Sequence, residues 1–196
     1  MKKFLQVSLL SAAALASSHA FANSPSWDYV ELQYVQFDVD DIDVEPSGFG
    51  INGSVLVSEN VFLTGSTAFT SDDFQGVDFD YDTLELGIGY RYAISDRTDW
   101  YASLSYANVE AKASASGFGS STVDEDGFDI ETGIRSMLTE KFELGADISY
   151  LDLGDEDETT FTVEATYLVS ESVGIDLGYG IASDVNTLNL GVRFEF

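Results

Sequence analysis

The sequence predicts an all-β fold: an up-and-down antiparallel transmembrane β-barrel of about ten strands, with eight as the alternative count. Three observations carry this expectation. Apolar and polar residues alternate along most of the chain, the period-2 signature of strands with two unlike faces. The alternating segments run roughly 9–11 residues, the length a tilted membrane strand needs. The links between them are short and long by turns.

Residues 1–22 stand apart and are expected to be a cleaved signal peptide, with the barrel domain at 23–196. Lys2 and Lys3 precede a mostly apolar run from Phe4 to Ala16, and Ala20-Phe21-Ala22 supplies the small-x-small pattern of a cleavage site. About a dozen apolar residues cannot cross a bilayer as a helix, which takes about 20. Cleavage would remove the sole histidine, His19, with two of the eight basic residues and none of the acids. Six bases then face 35 acids, a formal charge of −29. Such a balance repels phosphates and argues against nucleic acid as a partner. With no cysteine, neither disulfides nor thiolate metal sites can form. From Asn23 onward no apolar run is long enough for a helical span, so a crossing must use strands closed into a barrel.

The strands follow in order. In 29–37, Val30, Leu32 and Tyr34 oppose Glu31 and Gln33. The segments 49–57 and 61–69 alternate more weakly, and Asn52-Gly53 is a possible turn signal, which is where the eight-strand alternative arises. Next, Leu84, Leu86, Ile88, Tyr90 and Tyr92 alternate with Glu85, Gly87, Gly89 and Arg91. Trp100, Ala102, Leu104 and Tyr106 oppose Tyr101, Ser103 and Ser105. Phe128, Ile130, Thr132 and Ile134 oppose Asp129, Glu131, Gly133 and Arg135. In 142–150 the polar set includes Glu143 and Asp147, in 161–167 it includes Glu164, and in 173–181 it includes Asp176. The last strand sets Leu188, Leu190, Val192, Phe194 and Phe196 against Asn189, Gly191, Arg193 and Glu195. Each set occupies one face of its strand.

Ser58-Glu59-Asn60, Ser95-Asp96-Arg97, Thr139-Glu140-Lys141 and Ser170-Glu171-Ser172 read as tight turns. Between them fall longer acidic links at 38–48, 70–80, 107–126 and 152–159, and a shorter one at 182–186. Short turns at one end and long loops at the other place both termini on the periplasmic side. Outward aromatics form two bands. Tyr92, Trp100, Phe142, Tyr167, Phe194 and Phe196 lie near short turns; Tyr34, Phe69, Tyr106, Phe128, Tyr150, Phe161 and Tyr179 lie near long loops. Rings at both margins of an aliphatic belt suit the two interfaces of a bilayer. A secreted β-sandwich alternates too, but its polar face meets water and should carry many charges. Here that face is rich in Gly, Ser and Thr with paired charges, as a crowded lumen requires.

On these residues the chain resembles the porin-like family of small bacterial outer-membrane β-barrels. The resemblance covers the whole of 23–196 and is most specific at the ending Leu188-x-Leu190-x-Val192-x-Phe194-x-Phe196. It implies export to the outer membrane. It also implies that Val192, Phe194 and Phe196 form the signal read by the outer-membrane barrel assembly machinery, and that lipids and lipopolysaccharide surround a monomer.

Catalysis is constrained by what 23–196 lacks. The ten-strand count is similar to that of the omptin proteases, yet without histidine no Ser-His-Asp arrangement can assemble. No enzyme activity, cofactor or resident metal is expected. Gly48-Phe49-Gly50-Ile51-Asn52-Gly53 matches G-x-G-x-x-G in letters, but no helix follows to receive phosphates, so the glycines read as easing a curved strand. Asp78-x-Asp80-x-Asp82 lacks the glycine and glutamate of a calcium loop, leaving the acidic loops as a solvated, self-repelling rim or a loose divalent-ion surface.

The inward charges are the remaining constellation. Arg91, Arg135 and Arg193 are set against Glu31, Glu85, Asp129, Glu131, Glu143, Asp147, Glu164, Asp176 and Glu195. Barrel closure brings Arg193 to Glu31, and a short turn brings Arg135 to Glu143. Two roles follow for this lumen: a salt-bridged filled interior under a surface-interaction protein with acidic extracellular loops, or a narrow cation-preferring pore. A divalent-ion-dependent adhesin is a third, weaker reading.

Overall fold

Period-2 alternation becomes ten antiparallel strands in the structure, a computed structural model that describes residues 24–39, 45–74, 76–115, 117, 119–154, 156–183 and 185–196. The strands are β1 (Tyr29–Val39), β2 (Ser47–Leu56), β3 (Val61–Phe74), β4 (Val77–Ser95), β5 (Thr98–Ala115), β6 (Gly119–Met137), β7 (Phe142–Asp152), β8 (Asp157–Leu168), β9 (Val173–Ile181) and β10 (Val185–Glu195). Each pairs with its sequence neighbours, and β1 pairs with β10 to close the barrel. Closure leaves no unpaired edge, the condition for a sheet in lipid. The expected signal segment, with His19, and the acids Asp40, Asp41, Asp43 and Asp155 lie outside the described residues.

The strand count is ten because Asn52-Gly53 sits mid-strand, with Asn52 opposite both Glu31 and Ser66. The glycine-rich run lies along β2, where a Cβ on Gly48 would come within 1.9 Å of the Phe69 carbonyl oxygen. That glycine permits close approach of β3, and no phosphate cradle is formed. The four short turns fall where expected and close tightly, with Val57 N donating to Val61 O, Leu138 N to Phe142 O and Val169 N to Val173 O at 2.8–2.9 Å.

The molecule is apolar outside and polar inside. Leu86 is 58 % exposed and Leu190 52 %, whereas Glu31, Asp176 and Arg193 are each 1 % exposed. In water this would be an unstable arrangement, at roughly 25 cal/mol per Å² of uncovered apolar area. In a bilayer it is the stable one, since acyl chains cover the outer face.

Two predicted loops are corrected. Most of 70–80 and 107–126 is strand, because β3, β4, β5 and β6 continue as paired hairpins beyond the outer aromatic band. Above that band the two faces exchange polarity. Asp82, Asp80 and Asp78 continue the outward face of Leu86 and Leu84, while Tyr81 and Thr83 continue the inward face of Glu85. Val35 and Ala107 are buried inside, and the Phe37 and Tyr81 rings meet edge-on at 5.2 Å. The hairpin extension therefore has an ordinary water-facing exterior and an apolar core.

That exterior is acidic. Tyr106 hydroxyl donates to Asp126 at 2.6 Å, and Lys112 Nζ to Asp80 at 2.8 Å, which holds the lysine above its usual range. Below Lys112, Asp82, Glu110 and Asp124 stand directly opposite one another across three strands. Partial burial, then the Asp80 and Glu110 carboxylates, push the Asp82 carboxyl up. An acid raised in the folded state favours folding when protonated, and that advantage is lost as pH rises through its pKa. Asp82→Asn is therefore expected to stabilise the hairpins by about 0.2–1 kcal/mol at neutral pH and to have no effect in acid. Urea midpoints of wild type and variant at both pH values check this.

Candidate functional site

The inward positions of the ten strands build the lumen in layers. At the short-turn end the chain before β1 folds inward, and Trp27 plugs the barrel. Its indole packs on Phe62 (ring centroids 4.4 Å apart) and, edge-on, on Tyr101 (5.2 Å). Trp27 Nε1 donates to Asp99 Oδ2 at 2.8 Å, and the same oxygen accepts Arg91 Nη1 at 3.0 Å. Leu56 packs against this apolar floor.

Above it lies a salt-bridge layer. Arg193 Nε donates to Glu31 Oε2 at 3.1 Å, as closure of β1 on β10 predicts, with Glu31 directly opposite Arg193 in the register. Arg193 also reaches Glu164 at 2.6 Å, Asp176 at 3.5 Å and Glu143 at 3.7 Å. A side chain at position 191 would collide with this group: a Cβ there would come within 2.4 Å of Glu31 Oε1, so Gly191 makes the room. Arg135 Nε donates to Glu143 at 2.7 Å. Its guanidinium lies 4.7 Å from the Trp27 ring centroid and 5.3 Å from that of Tyr29, and Arg193 lies 4.5 Å from Tyr29 on its own account. Cations stacked on ring faces between carboxylates offset the cost of burying charge.

Higher still is a polar chamber of about 340 Å³. Glu85 of β4, Asp129 and Glu131 of β6 and Asp147 of β7 line it. Tyr101 hydroxyl donates to Glu131 from below. Among the described residues no three acids are grouped closely enough to hold a metal ion.

The predicted lumen charges thus divide into three groups. Glu31, Arg135, Glu143 and Arg193 converge in one network with Glu164 and Asp176, while Arg91 forms a separate pair with Asp99. Among the described residues Glu85, Asp129, Glu131 and Asp147 form no ion pair, although Arg135 lines the same chamber. Val192, Phe194 and Phe196 all face outward, toward lipid, and Phe196 N donates to Asp28 O at 3.1 Å. The sequence reading missed Trp27, Tyr29 and Asp99. Tyr29 and Asp99 carry one signal, parity: 29 shares a face with 31, as 99 does with 101 and 103, whereas Trp27 precedes β1.

Comparison with known proteins agrees with this architecture. Residues 7–168 match the model of the outer membrane protein beta-barrel domain. The chain belongs to that family. Its place is accordingly the bacterial outer membrane. Ail, the attachment invasion locus protein of Yersinia pestis, superposes with a TM-score of 0.50 at 18% identity, covering 88% of this chain and 100% of that one. Ail in complex with the heparin analogue sucrose octasulfate gives 0.51 at 20% identity, over 86% and 97%. Neisserial surface protein A gives 0.50 at 14% identity, over 87% and 98%. At these identities the likeness is one of fold. No curated protein matches the sequence.

Proposed function

We propose that this outer-membrane barrel is a non-catalytic surface protein, held rigid by its ion-paired interior and presenting acidic hairpins outside the cell. The observation that carries this reading is the Trp27 plug: a lumen floored by packed aromatic rings beneath a buried salt-bridge layer favours a scaffold over an open conduit. The short-turn end is then periplasmic and the β3–β6 hairpins are extracellular. Lipids and lipopolysaccharide surround a monomer whose last strand, ending in Phe194 and Phe196, is read by the assembly machinery.

Charge narrows the partner. Ail has been crystallised with a sulfated sugar. Here the exposed row Asp82, Glu110 and Asp124 would repel such a polyanion and attract a basic surface.

A second reading, the narrow cation-preferring pore, is favoured by one observation, the unpaired carboxylates of the chamber. Planar-bilayer recording of the intact barrel separates the two. No steady conductance is expected. A steady cation-selective current, reduced by Glu131→Gln or Asp147→Asn, would establish the pore instead.

A further inference from the structure

The chamber is short of positive charge. Each lumen arginine is already engaged: Arg91 by Asp99, Arg135 by Glu143, and Arg193 by Glu31, Glu164 and Asp176. Glu85, Asp129, Glu131 and Asp147 have no base within ion-pair distance among the described residues, although Asp129 is only 6 % exposed. Carboxylates left in so enclosed a space are neutralised by a proton or by a counter-charge, and a bound cation would keep them ionised.

The opposite wall adds an independent indication. In the barrel order, β2 and β10 flank β1, which stands across the lumen from β6, and β2 stands across from β7. From β2, Ser54, buried at 6 % exposure, lines the chamber with an Oγ that has no hydrogen-bond partner. From β10, Asn189 lines it with an unpartnered Oδ1. The Arg135 Nη groups also lack hydrogen bonds, but that guanidinium is sandwiched against the Trp27 and Tyr29 rings. The chamber's charge is acidic: Glu85, Asp129, Glu131, Asp147 and Glu164 line it against one base, Arg135, among hydroxyls and amides that can donate or accept. A complementary occupant is positively charged and rich in N–H donors.

Spacing selects among cations. The acids are too dispersed to chelate a metal ion. Asp129 and Glu131, two residues apart on one strand, are separated by roughly 7 Å along it, and Glu85 lies two strands away, roughly 10 Å. One point charge cannot satisfy such a set, but several ammonium groups on a short chain can. The volume, equivalent to about eleven liquid waters, accommodates one. We propose that the lumen chamber is a binding site for a small aliphatic di- or polyammonium ion, held by Glu85, Asp129, Glu131 and Asp147 with Ser54 and Asn189 opposite. This site is independent of the surface role proposed above.

Because apolar layers lie above and below the chamber, the test folds the barrel from urea into detergent with or without spermidine, at constant ionic strength. The expected result is a saturable rise in thermal midpoint, with stoichiometric heat in calorimetry. Asp129→Asn with Asp147→Asn should weaken spermidine by at least about tenfold while leaving heat-modifiable gel migration intact. Spermidine also meets the acidic hairpins, so Asp82→Asn, Glu110→Gln, Asp124→Asn is made as a separate triple variant and should leave the saturable site unchanged. The site is disproved if sodium chloride at equal ionic strength gives the same shift, if the lumen pair has no effect, or if the hairpin triple variant alone abolishes binding.

Discussion

Replacing Arg193 with methionine is expected to weaken the folded barrel by about 3–5 kcal/mol, the range for breaking a buried ion pair from one side. Arg193 is 1 % exposed and lies within 4 Å of four carboxylates, from Glu31, Glu143, Glu164 and Asp176. Methionine fills similar space, so the loss reports charge and not a void. Glu31 then suffers most, because its Oε1 already lacks a partner and its Oε2 would lose the guanidinium. Adding Glu31→Gln should return part of the lost stability, and the interaction term of the double-mutant cycle should be well above the error of additive sites. Urea titrations of refolding into lipid vesicles give both numbers. A single variant within 1 kcal/mol of wild type would show that the network is ornamental to stability.

That network shows how far the sequence could be read. Period-2 alternation placed Glu31 and Arg193 on inward faces, and a closed antiparallel barrel required the first and last strands to meet. Pair and register followed without coordinates. The additional reach of Arg193 was illegible, because Asp176 lies diagonally from it on the paired strand β9 and Glu164 lies a strand further on, on β8, so side-chain length and not direct register makes these contacts. The hairpins were misread for a different reason. Along β4 the apolar set changes face between Thr83 and Leu84, where the surroundings of the outer face change from water to lipid. A rule tuned to one solvent sees that exchange as a break in the strand. Trp27 escaped because it precedes the first alternating segment, where too few residues exist to establish a period.

Truncating that residue, Trp27→Ala, is expected to cost about 3–5 kcal/mol, as for other buried tryptophans. The same change should unlock conduction. Without the indole, Phe62 and Tyr101 lose their common partner, Arg135 loses one of its two rings, and Asp99 Oδ2 loses a donor while keeping Arg91. Water can then enter between the salt-bridge layer and the short-turn end. With Glu85, Asp129, Glu131 and Asp147 lining the chamber above, current through the variant should favour cations. Trp27→Phe separates the two effects: it keeps an aromatic ring in the floor while losing part of the indole and the hydrogen bond to Asp99, so it should stay closed and cost about 1–3 kcal/mol. Should Trp27→Ala fold yet remain silent in planar bilayers, the barrier lies at the other end, where Val35, Ala107 and the Phe37–Tyr81 contact fill the lumen. Adding Phe37→Ala to the silent variant would then decide it, since a current appearing only in the double variant places the principal seal at the hairpins.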